Sequence, residues 1–163
     1  MTQARIQQQQ FRRACGKFAT GVTVITARDG GGAPHGMTAN SFTSVSLDPP
    51  LVLVCIDLRT RLLRYLTSGT ALGINVLRES QRDLSDRFSR PGEDRFGQVN
   101  WYPGETGAPL LPDVLATIEA TVERVVEAGD HAVVLAAVRT AAWSDGTPLL
   151  YFNSGYQTLR MES

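Results

Sequence analysis

Between Arg5 and Ala19 the apolar residues recur at helical spacing, as Phe11, then Ala14 or Cys15, then Phe18. That rhythm predicts a helix laid over one side of a core and ended by Gly21. Val22 to Ala27 then changes the pattern, with β-branched side chains at five of six positions, and it runs into Arg28-Asp29-Gly30-Gly31-Gly32-Ala33-Pro34. A hairpin is predicted there, with a returning arm from His35 to Leu47. Asp48-Pro49-Pro50 stops the arm, and Leu51 to Ile56 is an apolar run that reads as a strand buried on both faces.

Leu58, Leu62, Tyr65 and Leu66 alternate with Arg59, Arg61 and Arg64, which predicts an amphipathic helix closed near Gly69. Ala71 to Leu77 reads as a strand and Ser80 to Phe88 as a short helix. Ser89 to Pro112 is rich in Gly and Pro with little periodicity, and a loop of that length usually has a function. Thr117 to Ala128 fits helix or strand. Strand is preferred, because half of its residues are β-branched and Glu119, Glu123 and Glu127 would repel one another along a helix. His131 to Trp143 and Leu149 to Phe152 complete six or seven strands with two or three helices. The predicted fold is mainly β, an antiparallel barrel with peripheral helices.

A length of 163 residues fits one domain able to bury its own core, and 42% hydrophobic with 20% charged residues fits a chain that folds. Residues 1–10 read as a flexible or helical extension and residues 11–160 as the domain. Formal net charge is zero, so there is no summed positive field for nucleic acid or for an anionic membrane surface. Cys15, in the predicted helix, and Cys55, in the apolar run, read as buried, reduced thiols. No stretch approaches the ~18 apolar residues of a membrane span, and Met1 to Gln10 has no apolar segment of the signal-peptide kind. The expectation is a soluble, cytoplasmic protein.

Familiar catalytic templates fail. Gly30-Gly31-Gly32 lacks GxGxxG spacing and a following helix, two histidines and two cysteines show no ligand spacing for a metal, and no GxSxG occurs. Three segments remain. On a single strand Thr38, Asn40, Ser44 and Ser46 would share one face, a row of small donors and acceptors that suits solvent or a ligand wall. Gly129-Asp130-His131 delivers a histidine to the edge of a loop, where it serves structure or chemistry. Pro148-Leu149-Leu150-Tyr151-Phe152, with Tyr156 beyond, has the aromatic spacing of a core or of a site wall.

In chain order, Phe11 to Thr26, Gly36-Met37-Thr38-Ala39-Asn40-Ser41-Phe42, Ser44 to Cys55, Ile74-Asn75-Val76-Leu77, Asp94-Arg95-Phe96, Gly129-Asp130-His131 and Pro148 to Tyr151 resemble the short-chain flavin reductase family. The resemblance covers nearly the whole chain, and its first three blocks are the most specific. It implies a six-stranded antiparallel split β-barrel of Greek-key, FMN-binding type. It also implies NAD(P)H:flavin oxidoreductase activity, in which hydride passes from NADH or NADPH to FMN or FAD and the reduced flavin goes to a partner monooxygenase. A homodimer with flavin at the subunit boundary is implied as well.

Roles follow by position. Met37, Thr38, Ala39, Asn40 and Ser41 are similar to the stretch along the flavin ring and ribityl chain, which Ser44, Val45 and Ser46 continue. Thr60 resembles a hydroxyl position at the flavin phosphate, where backbone N–H groups at a helix start would also suit an anion, with Arg59 beside it. Asn75 resembles a position near the flavin, and Arg87, Phe88 and Ser89 a loop closing over its phosphate or adenine end. His131, the one catalytic candidate, resembles the histidine beside the nicotinamide, with Tyr151 and Tyr156 near the same pocket. Ala136-Ala137 stands where many relatives carry Gly and a charged residue, so the contact made there has no counterpart here. A flavin carrier or sensor on the same barrel, without turnover, is the alternative.

Overall fold

The computed structural model describes residues 7–92 and 94–159, so the parts of the expected segments at 1–6 and 160 lie outside the described residues. A seven-stranded antiparallel sheet carries the fold, in the order β3 (Pro34–Ala39), β2 (Thr23–Arg28), β6 (Ala71–Val76), β9 (Ala116–Ala128), β10 (His131–Trp143), β5 (Pro50–Asp57) and β4 (Thr43–Leu47). A smaller sheet joins β1 (Thr20–Gly21), β11 (Leu150–Phe152) and β12 (Gly155–Gln157), and β7 (Tyr102–Pro103) pairs with β8 (Pro109–Leu110) inside the long loop. The helices are α1 (Gln8–Cys15) and α2 (Arg82–Ser89), with 3-10 turns at Arg61–Tyr65 and Glu79–Gln81. The fold is mainly β, as the sequence predicts.

The returning arm is not one strand. It breaks at residues 40–42 into β3, which pairs with β2, and β4, which pairs with β5 at the opposite edge of the sheet. This division gives the main sheet its seven strands, and it means that Thr38 and Asn40 do not share a strand face with Ser44 and Ser46. The cause is local. The Ser41 hydroxyl donates to the Cys55 carbonyl (2.8 Å) and accepts from the Cys55 N–H (3.1 Å), so it takes both backbone groups of a β5 residue and turns the chain there. One side chain thereby ties the two sheet edges across the split of the barrel.

Ile25, Val54, Ile56, Leu72, Ile74, Val122 and Val134 fill the barrel interior, and Leu62 of the Arg61–Tyr65 turn and Leu66 just after it close it. A second cluster of Val22, Val24, Leu77, Phe88, Leu111 and Leu149 lies between the sheet and α2. β2 is buried on both faces because it serves both clusters. β5 alternates, with Val52, Val54 and Ile56 inside and Leu51, Leu53 and Cys55 half-exposed, which corrects the expectation of two buried faces. The Leu58–Leu66 helix is a five-residue 3-10 turn.

α1 departs furthest from expectation. It ends at Gly16, not Gly21, and none of its residues is buried; Phe11 is 57% and Phe18 78% exposed. Cys15 is accordingly exposed and Cys55 half-buried on the outer face of β5, both free, so the expected burial of the two thiols is corrected. Glu119 of β9 is 4% exposed and accepts from the long loop's Glu105 N–H (3.0 Å), Thr106 N–H (2.7 Å) and Thr106 hydroxyl (2.5 Å). Three donors compensate its desolvation and pin the β7–β8 hairpin to β9.

Candidate active site

Two hollows meet at Asn40. The larger, of about 610 Å³, is a mainly apolar groove whose walls include Phe18 and Ala19 after α1, Phe42, Leu53 and Cys55 of β5, and Val76. The smaller, of about 480 Å³, is a cleft rich in hydroxyls, between Thr38 and Ala39 of β3, one face of α2, and Tyr151 and Tyr156 of the small sheet. Asn40 is exposed and lines both.

On α2 the residues at i, i+3, i+4 and i+7, Arg82, Ser85, Asp86 and Ser89, line the cleft, while Phe88 turns into the core with no exposed surface. Thr38 docks the helix to β3 by donating to the Ser85 carbonyl (2.6 Å). The Tyr156 hydroxyl lies 2.8 Å from the Ser85 hydroxyl and donates to Asp86 Oδ1 (2.9 Å), and the Arg82 guanidinium stacks over the Tyr156 ring at 5.0 Å. Burial, more than any other cause, raises the Tyr156 phenol above its ordinary range, so it stays a neutral donor. Tyr151 meets Tyr156 edge-on at 5.6 Å.

The residues singled out in the sequence divide accordingly. Thr38, Ala39, Asn40, Ser89, Tyr151 and Tyr156 line the cleft, and Asn40 and Ser41 the groove. Met37 packs against the barrel core. Ser44 and Val45 are exposed and Ser46 half-buried on edge strand β4, outside both linings. Asn75 is fully buried: its amide donates to the Val24 carbonyl (3.0 Å) and its oxygen accepts from the Leu111 N–H (2.8 Å). Neither the Asn75 nor the Phe88 side chain is exposed in this chain. Arg87 is spent too; its guanidinium donates to the Arg95 carbonyl (2.7 Å) and the Gly97 carbonyl, fastening the loop after α2.

His131, Arg59 and Thr60 form a separate corner. His131 opens β10 opposite Asp57, with Nδ1 2.7 Å from Asp130 Oδ1. Arg59 grips Asp57 through two side-chain bonds (3.0 and 2.7 Å), and Thr60 precedes the Arg61–Tyr65 turn without a side-chain cap. The Arg59 hydrogen bonds hold the Asp57 carboxyl well below the usual carboxylate range, and the His131 contact lowers Asp130. The chain does not bring His131 into one hollow with Tyr151 and Tyr156. Arg82, Ser85, Asp86, Ser154 and Gly155 of the cleft escape the sequence reading, although the helical spacing of the first three with Ser89 is visible there. Among the described residues no cluster of His, Cys, Asp or Glu could hold a metal, and no helix is long and apolar enough to cross a membrane.

An apolar slot beside a wall of hydroxyls suits a ligand with a flat ring and a polar tail. A probable flavin reductase of Rhizobium meliloti (strain 1021) is 47% identical over 161 residues, 99% of this chain and 52% of that protein. An NADH-dependent FAD reductase of Streptomyces globisporus is 42% identical over 90% of this chain and 82% of its own. Among solved structures, the S. globisporus NADH:FAD oxidoreductase in complex with NAD and FAD fragments superposes with a TM-score of 0.88 at 37% identity, covering 94% of this chain and 93% of that one. The styrene monooxygenase flavin reductase of Pseudomonas putida S12 gives 0.85 at 37% identity, covering 94% and 99%. The chain spans about half to two thirds of the length of the curated relatives first matched. The flavin reductase like domain matches residues 15–160, and the chain belongs to that family.

Proposed function

We propose that the protein is an NAD(P)H:flavin oxidoreductase that reduces FMN or FAD and releases the reduced flavin to a monooxygenase. The observation that carries this reading is the meeting of the apolar groove with the hydroxyl-lined cleft at Asn40. An isoalloxazine ring fits walls such as Phe18, Phe42 and Leu53, and a ribityl chain fits the donors and acceptors from Asn40 onward. When bound, the flavin supplies the hydride-accepting chemistry. The chain holds ring and tail, keeps water from one ring face, and leaves the groove open so that a nicotinamide can lie within about 3–3.5 Å of the ring. No protein nucleophile is needed.

The working unit in this reading is a homodimer. Phe18 at the groove, Phe11 on α1, and Val45 and Leu47 on β4 are all exposed, apolar surface of the kind that a partner covers. A second copy would cover it and could carry His131 toward the cleft of its neighbour, where it would orient the nicotinamide. Two free cysteines accord with a reducing, cytoplasmic setting.

The test is a steady-state assay crossing FMN, FAD and riboflavin with NADH and NADPH. Sustained nicotinamide oxidation with catalytic protein and added free flavin is expected, whereas tight flavin binding without turnover would make the protein a carrier. His131→Ala should raise the KM for NADH more than it weakens flavin binding, and the reverse pattern would remove His131 from the nicotinamide site.

A further inference from the structure

Cys15, at the end of α1, and Cys55, on the outer side of β5, both line the apolar groove of about 610 Å³, and both are free. They are held differently. The Ser41 hydroxyl takes the Cys55 carbonyl and N–H at 2.8 and 3.1 Å, so Cys55 sits on a fixed wall. Cys15 is exposed on a helix with no buried residue. That helix is fastened at its end, where the Gly16 carbonyl accepts from the Asn153 N–H (2.8 Å) and Lys17 Nζ donates to Asn153 Oδ1 (3.0 Å). A shift of the helix end toward β5 therefore costs no core packing. The chain has these two cysteines and no others, and both lie in the hollow assigned above to the flavin ring.

We infer that Cys15 and Cys55 are an oxidisable pair, joined by hydrogen peroxide into a disulfide across the groove that hinders flavin entry. The inference rests on the flavin reductase reading for its oxidant. Reduced flavin that meets oxygen in place of a monooxygenase passes it two electrons and two protons, and hydrogen peroxide results. Cys15, the more exposed thiol, reacts first. Its sulfur attacks one peroxide oxygen, the O–O bond breaks as an S–O bond forms, and the displaced hydroxide leaves as water with the thiol proton. The Cys55 sulfur then attacks the Cys15 sulfur, the S–S bond forms as the S–O bond breaks, and a second water carries off the Cys55 proton. The two thiols have lost two electrons and the peroxide has gained them. A disulfide needs Cα atoms within about 7 Å, so the bond draws the end of α1 over β5 and narrows the groove between Phe18 and Leu53. A dithiol reductant reverses the bond. The consequence is a reductase that stops taking flavin when its product goes unused.

The test takes the full chain as wild type, Cys15→Ser and Cys55→Ser, each treated with a small excess of hydrogen peroxide in the absence of flavin. Peptide mass spectrometry without reductant and FAD affinity by fluorescence titration are the readouts. In the wild type a peptide joining Cys15 to Cys55 should appear, both thiols should be lost together, and FAD should bind several-fold more weakly. Dithiothreitol should restore all three. Neither variant should form the link, and each should keep most of the FAD affinity of its own untreated sample. Thiols lost without a link, a link between two chains, or a link that leaves FAD affinity unchanged would overturn the inference. The source of the oxidant is tested apart. Wild type turning over NADH and FAD in air should form the same link, and catalase should prevent it; NADH oxidised without the link would overturn the inference. If added peroxide forms the link while NADH and FAD in air consume no NADH, the flavin reductase reading falls and the thiol pair stands.

Discussion

Asn75 shows how much a single buried amide does for the strands around it. An amide inside an otherwise apolar strand invites a ligand, but here it joins β2 to the residues after β8 from a fully buried position. Asn75→Ala should therefore cost about 2–3 kcal/mol of unfolding free energy by stranding the Leu111 N–H and the Val24 carbonyl. Urea denaturation would show this, and flavin affinity of the folded fraction should not change. The acid corner yields a second prediction. Asp57 is ionised more easily folded than unfolded, so its contribution is fully present above the ordinary carboxylate value of about 3.9 and is lost as pH falls below it. Arg59→Ala raises the folded value toward the ordinary one and should flatten the loss of stability between about pH 4 and pH 2. Arg59 is 90% exposed, so the difference in urea midpoint will be small, and equal acid sensitivity in the two proteins would contradict the assignment.

At the scale of elements, most strands were legible in the sequence, because β-branched runs between Gly and Pro turns leave few alternatives, and even the ambiguous Thr117–Ala128 segment resolved as strand. The break at residues 40–42 was not legible. It depends on Ser41 meeting Cys55 on a strand that follows later in the chain, and spacing alone carries no record of that encounter. The same limit hid the cleft-facing side of α2, whose meaning appears only when Tyr156 arrives from β12. Ser41→Ala leaves the Cys55 N–H and carbonyl without their partner, so a loss of about 1–3 kcal/mol is expected. The urea midpoint should fall at unchanged slope, and flavin should bind more weakly because Asn40 is no longer held between the hollows. Stability lost with flavin affinity intact would detach the loop from the site.

At the scale of the molecule, the sequence was incomplete about the surface. A helix with two phenylalanines looks like core cover, yet α1 stands clear of this chain's own core. If α1 and the groove meet a second copy, size exclusion with light scattering should give a dimer, and Phe18→Asp should shift it toward monomer and weaken flavin together. A stable, fully active monomer would mean that one chain completes the site alone. The family, the mainly β fold and the joined hollows all bear on a single claim, that flavin is a substrate passing through this site. The most direct measurement of that claim is nicotinamide oxidised per protein when a trace of protein meets a large excess of free flavin and NADH in air. Many turnovers, with reduced flavin recoverable by an added acceptor such as cytochrome c, are predicted, and oxidation that stops at one equivalent per bound flavin would contradict it.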